Sequence, residues 1–391
     1  MKIALKLAWR NLTGAGLRTW LNVLVLSFSF VVIIWLKGIM TGWDHQAKTD
    51  MTQWEIGGGQ YWHESYDPYD PFTLAGSHAK LPSQLENAMK AGDLTGLLLT
   101  QGAIFPEGRM MSVVIKGLDP GQSILKLPSR KLDTTASAIP AIIGSMMAKH
   151  SKLKAGDYVT LRWRNANGTF DATDVLITDI FSSNVPAVDA GQVYIPLATL
   201  QEVMLLPDEI SLIVLRDKTD GWNEIPGWKY KSKAELTKQV DEMIKTKSAG
   251  QTVLYFILLL LAMLAIFDTQ VLSIFRRQKE IGTYVALGYT KQQVVGLFTV
   301  EGSMHAVLAA LLSAAYGLPF LAWQAKAGWT MPVDTSGLGM AIAQSLYPVY
   351  SAGLVIGTVL TVTITTAIVS YLPARKIARM NPTDALRGKL Q

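Results

Sequence analysis

Between Phe275 and Val294 the chain reads FRRQKEIGTYVALGYTKQQV, a short charged segment between two long apolar runs. The flanking runs, Val253 to Ile274 and Gly302 to Trp323, are each long enough to cross a hydrocarbon core of about 30 Å at about 1.5 Å of helix rise per residue. The segment therefore joins two membrane spans. Arg276, Arg277, Lys279 and Lys291 outnumber the one acid, Glu280, and short positive loops are retained on the cytoplasmic side. Ile281, Tyr284, Val285, Ala286 and Leu287 make it too apolar for a solvated linker, while its charges and glycines exclude a span. The residues alone describe an amphipathic helix that lies on the headgroups or docks on a cytoplasmic partner.

Composition agrees with a membrane protein that has a sizeable water-facing part: of 391 residues, 49% are hydrophobic and 17% charged. The net charge of +6 is sorted by side. Residues 1–18 carry +4, residues 275–294 carry +3 and the tail after the last span +4, whereas Gly42 to Lys247 holds 21 basic against 25 acidic residues, a net −4. Such sorting is a topology signal, and it removes nucleic acid as a partner. With no cysteine, the exported part uses no disulfide and folds on its own core.

The expected fold class is a membrane protein with four transmembrane α-helices and a large extracytoplasmic α+β domain between spans one and two. Residues 1–18 read as a cytoplasmic interfacial helix, with Lys2, Lys6 and Arg10 on one face, and 19–41 as span one. Thr19 to Leu36 is too long for a signal-peptide core and no small-x-small site follows, so it reads as an uncleaved anchor. Residues 42–233 form the exported domain, with strand-like runs at Met111 to Lys116, Tyr158 to Arg164, Asp174 to Ile180, Val193 to Ile195 and Ser211 to Leu215. Ala141 to Leu205 is expected to form one subdomain, and Asp44 to Pro140 with Asp208 to Tyr230 the other. Residues 234–275 are a stalk and span two: Leu236, Val240, Met243 and Ile244 share one helical stripe, and no breaker stronger than Gly250 follows. The charged segment, 276–295, leads into span three at 296–323, an outer loop at 324–347, span four at 348–373 and a cytoplasmic tail at 374–391.

The order Arg277, Glu280-Ile281-Gly282, Ala286-Leu287-Gly288, Thr290 and then Glu301 resembles the permeases of the MacB, FtsX and lipoprotein-releasing (Lol) group of ABC transporters. Three further motifs share the resemblance. They are the entry Trp9-Arg10-Asn11-Leu12 with Leu17-Arg18-Thr19, the exported core Ile142-Ile143-Gly144, Leu153-Lys154-Ala155-Gly156-Asp157 and Val193-Tyr194-Ile195-Pro196-Leu197, and the close Leu372-Pro373-Ala374-Arg375-Lys376 with Asn381-Pro382-Thr383-Asp384-Ala385-Leu386-Arg387.

What the resemblance implies is a coupling helix docked in a groove of an ATPase subunit, with Arg277, Glu280, Ile281, Gly282, Tyr284, Ala286, Leu287 and Gly288 as coupling residues. It implies ATP and Mg held by that ATPase dimer and no cofactor held by this chain. It implies a second permease, identical or related, contact with membrane lipid, and a bacterial inner membrane with both termini cytoplasmic. Within the group the chain is most similar to the LolC/LolE type, which extracts lipoprotein substrates and passes them to a periplasmic carrier. The rivals are a MacB-like exporter working with an adaptor and outer-membrane channel, and an FtsX-like regulator of a cell-wall hydrolase.

The chemistry of catalysis is missing from the sequence. No G-x-x-x-x-G-K-[ST] cradles a nucleotide, and the five histidines lack zinc spacing. The prolines of YDPYDP make Asp67 and Asp70 a surface turn rather than a calcium loop. No catalytic, cofactor-binding or metal residue is expected, and the chain is not an enzyme by itself. Asp268 and Glu301 are acids inside or at the edge of spans, where a carboxylate costs about 2.5–3.5 kcal/mol at mid-bilayer and so faces the protein interior or a cavity. Family members more often carry an amide where Asp268 stands. Glu301 is placed to pair with Arg276 or Arg277, or else to sit at headgroup level. Gly353 and Gly357, with Thr361 and Thr365, keep the small-xxx-small register that packs helices, within this chain or against a partner.

Overall fold

The structure, a computed structural model, describes residues 17–133, 138–216, 224–330 and 345–379. Lys2, Lys6 and Arg10 of the expected interfacial helix, Pro332 and Gly337 of the outer loop, and the Asn381 to Arg387 motif lie outside the described residues. The chain divides into two compact units, one of residues 44–243 with 330–345 and the other of residues 1–43, 244–329 and 346–391.

The first unit is built on β-strands: β1 (Gly59–His63), β2 (Ala79–Lys80), β3 (Leu94–Ile104), β4 (Met111–Leu118), β5 (Ile139–Gly144), β6 (Tyr158–Arg164), β7 (Phe170–Phe181), β8 (Gln192–Pro196), β9 (Glu209–Ile210), β10 (Leu212–Leu215) and β11 (Trp228–Ser232). Nine of them form one sheet in the order β11-β1-β10-β3-β4-β8-β5-β7-β6. The last strand returns to the middle, because Gly102, Ala103 and Ile104 of β3 also pair with Trp163, Arg162 and Leu161 of β6. Six strands thus close into a ring, and β10, β1 and β11 extend from the first half of β3. Gly102 stands where β3 serves both neighbours; a Cβ there would come within 2.5 Å of Ile115 and 2.7 Å of the Arg162 carbonyl. The β4–β8 and β5–β7 pairs are parallel.

Successive residues of β3 point to opposite faces, so Leu98 joins one buried cluster with Ile115, Ile143, Leu161 and Ile195, while Leu97 and Leu99 join another with Leu118, Tyr194 and Leu212. The expected division into two subdomains does not hold. Strands from 94–118 interleave with those from 139–196, since β4 lies beside β8 and β3 beside β6. Pairing between strands so far apart in sequence leaves no local signature.

The helices are α1 (Leu17–Met51), α2 (Glu86–Lys90), α3 (Ser145–Ser151), α4 (Pro186–Asp189), α5 (Leu197–Met204), α6 (Lys233–Leu236), α7 (Lys238–Arg276), α8 (Gln278–Ala286), α9 (Lys291–Ala327) and α10 (Ala352–Ala374). The Asp189 carboxylate, buried at the end of α4, accepts hydrogen bonds from the Ser145 and Met146 amides and so caps α3. Among the described residues four helices, α1, α7, α9 and α10, are long and apolar enough to cross a membrane. The expected stalk helix from Ala234 is interrupted once, at Thr237, between α6 and α7. Beyond it α7 runs 39 residues without a break, about 58 Å of helix, through Gly250.

In the second unit Val23, Leu26 and Phe30 of α1 pack with Ala262, Met263 and Ile266 of α7, with Met304 and Ala309 of α9, and with Val362 of α10. Polar contacts cross the same packing: Asn22 donates to Thr269 and Ser27 meets Tyr316 at 3.2 Å. The helices come close at Gly302 of α9, where a Cβ would lie 2.3 Å from Ser370 Oγ and 3.0 Å from Gln270. Gly353 and Gly357 are different: each faces open space with nothing within 4 Å, so this chain does not use the small-xxx-small register for its own packing. Gly302→Ala is therefore expected to destabilise the protein by about 1–3 kcal/mol through overpacking. Gly357→Ala is expected to be neutral or to stabilise by up to about 1 kcal/mol, as alanine outranks glycine in a helix. Thermal unfolding of the purified protein in detergent separates the two.

Candidate functional site

The segment between α7 and α9 folds as a helix with one buried and one exposed side. Ile281 and Gly282 of α8 face inward, with Ile281 against Ile274, Val294, Phe298, Ala374 and Ile377. That cluster is a small core of its own, built from the ends of α7, α9 and α10. Lys279, Glu280, Thr283, Ala286, Leu287, Gly288 and Tyr289 face outward, and Leu287 is 72% exposed. Tyr284 is half-buried and meets Tyr289 edge-on at 5.8 Å. The expected coupling residues therefore divide: Ile281 and Gly282 anchor the helix, while Glu280, Ala286, Leu287 and Gly288 form its free surface.

Both ends of α8 are written in the local sequence. At its C-terminus the Tyr289 amide donates to the Tyr284 carbonyl and the Gly288 amide to Val285, with Gly288 at φ 93°, a conformation glycine adopts without strain. Thr290 then starts α9 with a capping box: its hydroxyl accepts from the Gln293 amide at 3.3 Å, and the Gln293 side chain accepts from the Thr290 amide at 2.9 Å. The connection from α8 to α9 is fixed within four residues, Leu287 to Thr290. Sequence reasoning noted Thr290 but missed this pairing, which the Thr-x-x-Gln spacing carries.

Arg277, at the joint of α7 and α8, holds the arrangement together. Its Nη1 donates to both carboxylate oxygens of Glu301, at 2.7 and 2.9 Å, and its Nε donates to Glu280 at 2.7 Å. The guanidinium lies 4.9 Å from the centre of the Phe298 ring, which adds a cation–π contact. Burial works against the Arg277 charge, but the Glu301 and Glu280 carboxylates outweigh it, so its pKa is held above the ordinary arginine value. One side chain thus ties the first turn of α8 to the interior of α9. Of the two arginines expected to meet Glu301, it is Arg277 that does; Arg276 is exposed.

Asp268 departs from expectation. It sits on the exposed side of α7, near Leu261, Leu264 and Phe267, rather than in the interior, and among the described residues no hydrogen bond or ion pair reaches it. The single chain leaves that side of α7 uncovered. The buried polar residues beside the joint are instead Gln270, His305 and Ser370, gathered around Gly302, and His305 Nδ1 lies 3.1 Å from the Gly302 carbonyl. Among the described residues no group of three or more His, Cys, Asp and Glu side chains could hold a metal. Asp67 and Asp70 each accept from a backbone amide two residues on, closing turns at the surface. The arrangement at α8 offers an exposed helix face held in place from its buried side.

Residues 252–382, which contain the whole of this joint, match the FtsX-like permease C-terminal family. The chain carries an FtsX-like permease domain. This permease is similar to the macrolide export ATP-binding/permease protein MacB of Agrobacterium fabrum, 24% identical over 240 residues, which cover 56% of this chain and 34% of that protein. The MacB of Rhodopirellula baltica is 25% identical over 198 residues, 50% of this chain and 26% of the relative, and that of Burkholderia lata 27% over 161 residues, 39% and 21%. The permease spans about a third or less of the length of the curated relatives it matches. Among solved structures, the extracellular domain of the noncanonic ABC-type transporter YknZ from Gram-positive bacteria matches with 12% identity and a TM-score of 0.26, over 41% of this chain and 83% of that one. The FtsX-like permease domain and the four long apolar helices make this a bacterial membrane protein.

Proposed function

We propose that the permease converts ATP-driven closure of a cytoplasmic ATPase dimer into a change of shape in its exported domain. The ATPase holds ATP and Mg, and docks on the exposed side of α8. The observation that carries this reading is the Arg277 joint, which locks α8 to α9 at the end of α7. A displacement of α8 is then passed to α7, which continues for 39 residues toward the exported domain without a flexible linker. The positive charges of 275–294 put α8 and both termini on the cytoplasmic side. Two permeases, identical or related, present two docking helices to the two-fold ATPase. Relatives named for macrolide export favour export as the work performed over lipoprotein release to a periplasmic carrier or control of a cell-wall hydrolase.

Inserting three glycines after Gly250 tests this, because residues 249 and 250 are exposed and pack against nothing that the insertion removes. The permease is purified with its co-purifying ATPase, and hydrogen exchange in residues 44–243 is compared before and after trapping with ATP and vanadate. Trapping is expected to change exchange in the unaltered protein and to leave it unchanged in the insertion variant, while the ATPase stays bound. An exported domain that responds equally in both would contradict force transmission through α7.

A further inference from the structure

The first unit contains a cavity of about 640 Å³ that the transmission of force does not use. It lies among the 3-10 turn Pro71–Gly76, the second half of β3, the β6–β7 hairpin and the end of α5. This volume is in the range of sites for small organic ligands. Its floor is apolar and buried, with Trp163, Leu74, Ala103 and Met204. Its rim is apolar and unusually exposed: Phe72 at 89%, Met110 at 66% and Phe170 at 62%. Large side chains of this kind in open solvent, grouped around one concavity, mark a surface made to be covered.

The walls are fixed before any ligand arrives. Asp70 accepts from the Phe72 amide at 3.0 Å and so holds the 3-10 turn, while the hairpin is pinned to the end of α5 by Trp163 Nε1 donating to the Val203 carbonyl and the Ala166 amide donating to Met204, both at 3.1 Å. Two cations stand on one side. The Arg162 guanidinium stacks 4.3 Å from the centre of the Phe170 ring, and Arg164 folds over the hairpin with its Nε donating to the Gly168 carbonyl at 2.9 Å. Arg109, Lys152 and Arg216 elsewhere in this unit each meet a carboxylate, but among the described residues neither Arg162 nor Arg164 does, and no acid lines the cavity. An apolar floor with unpaired guanidinium groups at its edge is complementary to a molecule that is greasy along its length and negative at one end.

We propose that this cavity binds an amphipathic anion, an alkyl or aryl body that carries a single carboxylate, sulfate or phosphate. The apolar body lies over Trp163 and Met204 beneath the Phe72, Met110 and Phe170 rim, and the anionic group meets Arg162 and Arg164. The site stands apart from the coupling joint, so its failure would leave the force-transmission reading untouched.

The test uses the full-length permease in phosphatidylcholine nanodiscs with 13C-methyl-labelled methionine. Decanoate, kept below its micelle concentration, is compared with decanol and decylamine. Decanoate is expected to shift the Met110 and Met204 resonances saturably, and about tenfold more tightly than either comparison compound, which corresponds to one charge-assisted contact. Arg162→Gln with Arg164→Gln should weaken decanoate about tenfold and leave decanol unchanged, while Arg162→Lys with Arg164→Lys, which keeps both charges, should restore much of the difference. The methionine resonances outside the cavity report whether each variant is folded. Equal binding of decanoate and decanol, an unaltered response in the glutamine variant, or shifts confined to Met263 and Met304 of the spans would overturn the proposal.

Discussion

Leu287→Asp is expected to release the ATPase from the permease without unfolding it. Leu287 closes α8 with its side chain 72% exposed, just before the glycine turn, and it is the largest apolar group on the outward side of that helix. Burying such a side chain in a partner's groove is worth about 1.5–3 kcal/mol, and placing a carboxylate there replaces that gain with a desolvation cost. Affinity should therefore fall by about 100-fold or more, the equivalent of about 2.7 kcal/mol. Nothing in this chain depends on the leucine, so thermal unfolding of the isolated permease should not move. Ile281→Asp gives the opposite pattern, since Ile281 is buried among Val294, Phe298 and Ile377 and the variant should unfold the joint itself. Retention of the ATPase by Leu287→Asp at unaltered affinity would count against α8 as the docking element.

Glu301→Leu carries the second large effect. The Glu301 side chain is 9% exposed and accepts both Arg277 hydrogen bonds, so removing it strands a guanidinium in a site that is mostly closed to water. Breaking a buried pair costs about 3–5 kcal/mol, and a loss near the lower end, about 3 kcal/mol, is expected because Arg277 keeps Glu280 as a partner and some contact with solvent. The double variant Arg277→Met with Glu301→Leu removes both charges and should recover most of that stability. It should not recover coupling: ATP turnover by the bound ATPase should continue while the exported domain no longer responds. Full function in the double variant would show that the joint is only a structural tie.

The spans and the short amphipathic helix α8 were legible in the sequence for a physical reason. Length and hydropathy set a membrane span almost alone, and the arginines of 275–294 carry the expectation of a cytoplasmic side. Glu301 could be matched to an arginine because a carboxylate at a span's edge seeks a cation, although only the placement of the α7–α8 joint chose Arg277 over Arg276. The exported domain was legible strand by strand but not as a whole. Met111 to Lys116 and Tyr158 to Arg164 fall within strands β4 and β6, whereas β3, interrupted by Gly96 and Gly102, was not read as a strand at all. Its glycines look like breakers in sequence, and they are places where neighbouring chains come close. The return of β6 to β3 joins residues about 60 apart, which no local pattern records. The small-xxx-small register of α10 misled in the same way: Gly353 and Gly357 share a side of the helix, but the helices come close at Gly302 and Gly317 of α9. The cavity beside Arg162 and Phe170 also had no sequence signal, because its lining comes from five separate stretches.

Force transmission requires α8 to be presented to the cytoplasm as the ATPase's point of contact. The chain contains no cysteine, so Leu287→Cys supplies a single thiol on the exposed side of that helix. Labelling with a membrane-impermeant maleimide should fail in intact spheroplasts, succeed in inverted vesicles stripped of the ATPase, and be blocked when the ATPase is restored. Labelling from the outside of spheroplasts, or labelling in inverted vesicles that the restored ATPase does not slow, would contradict it.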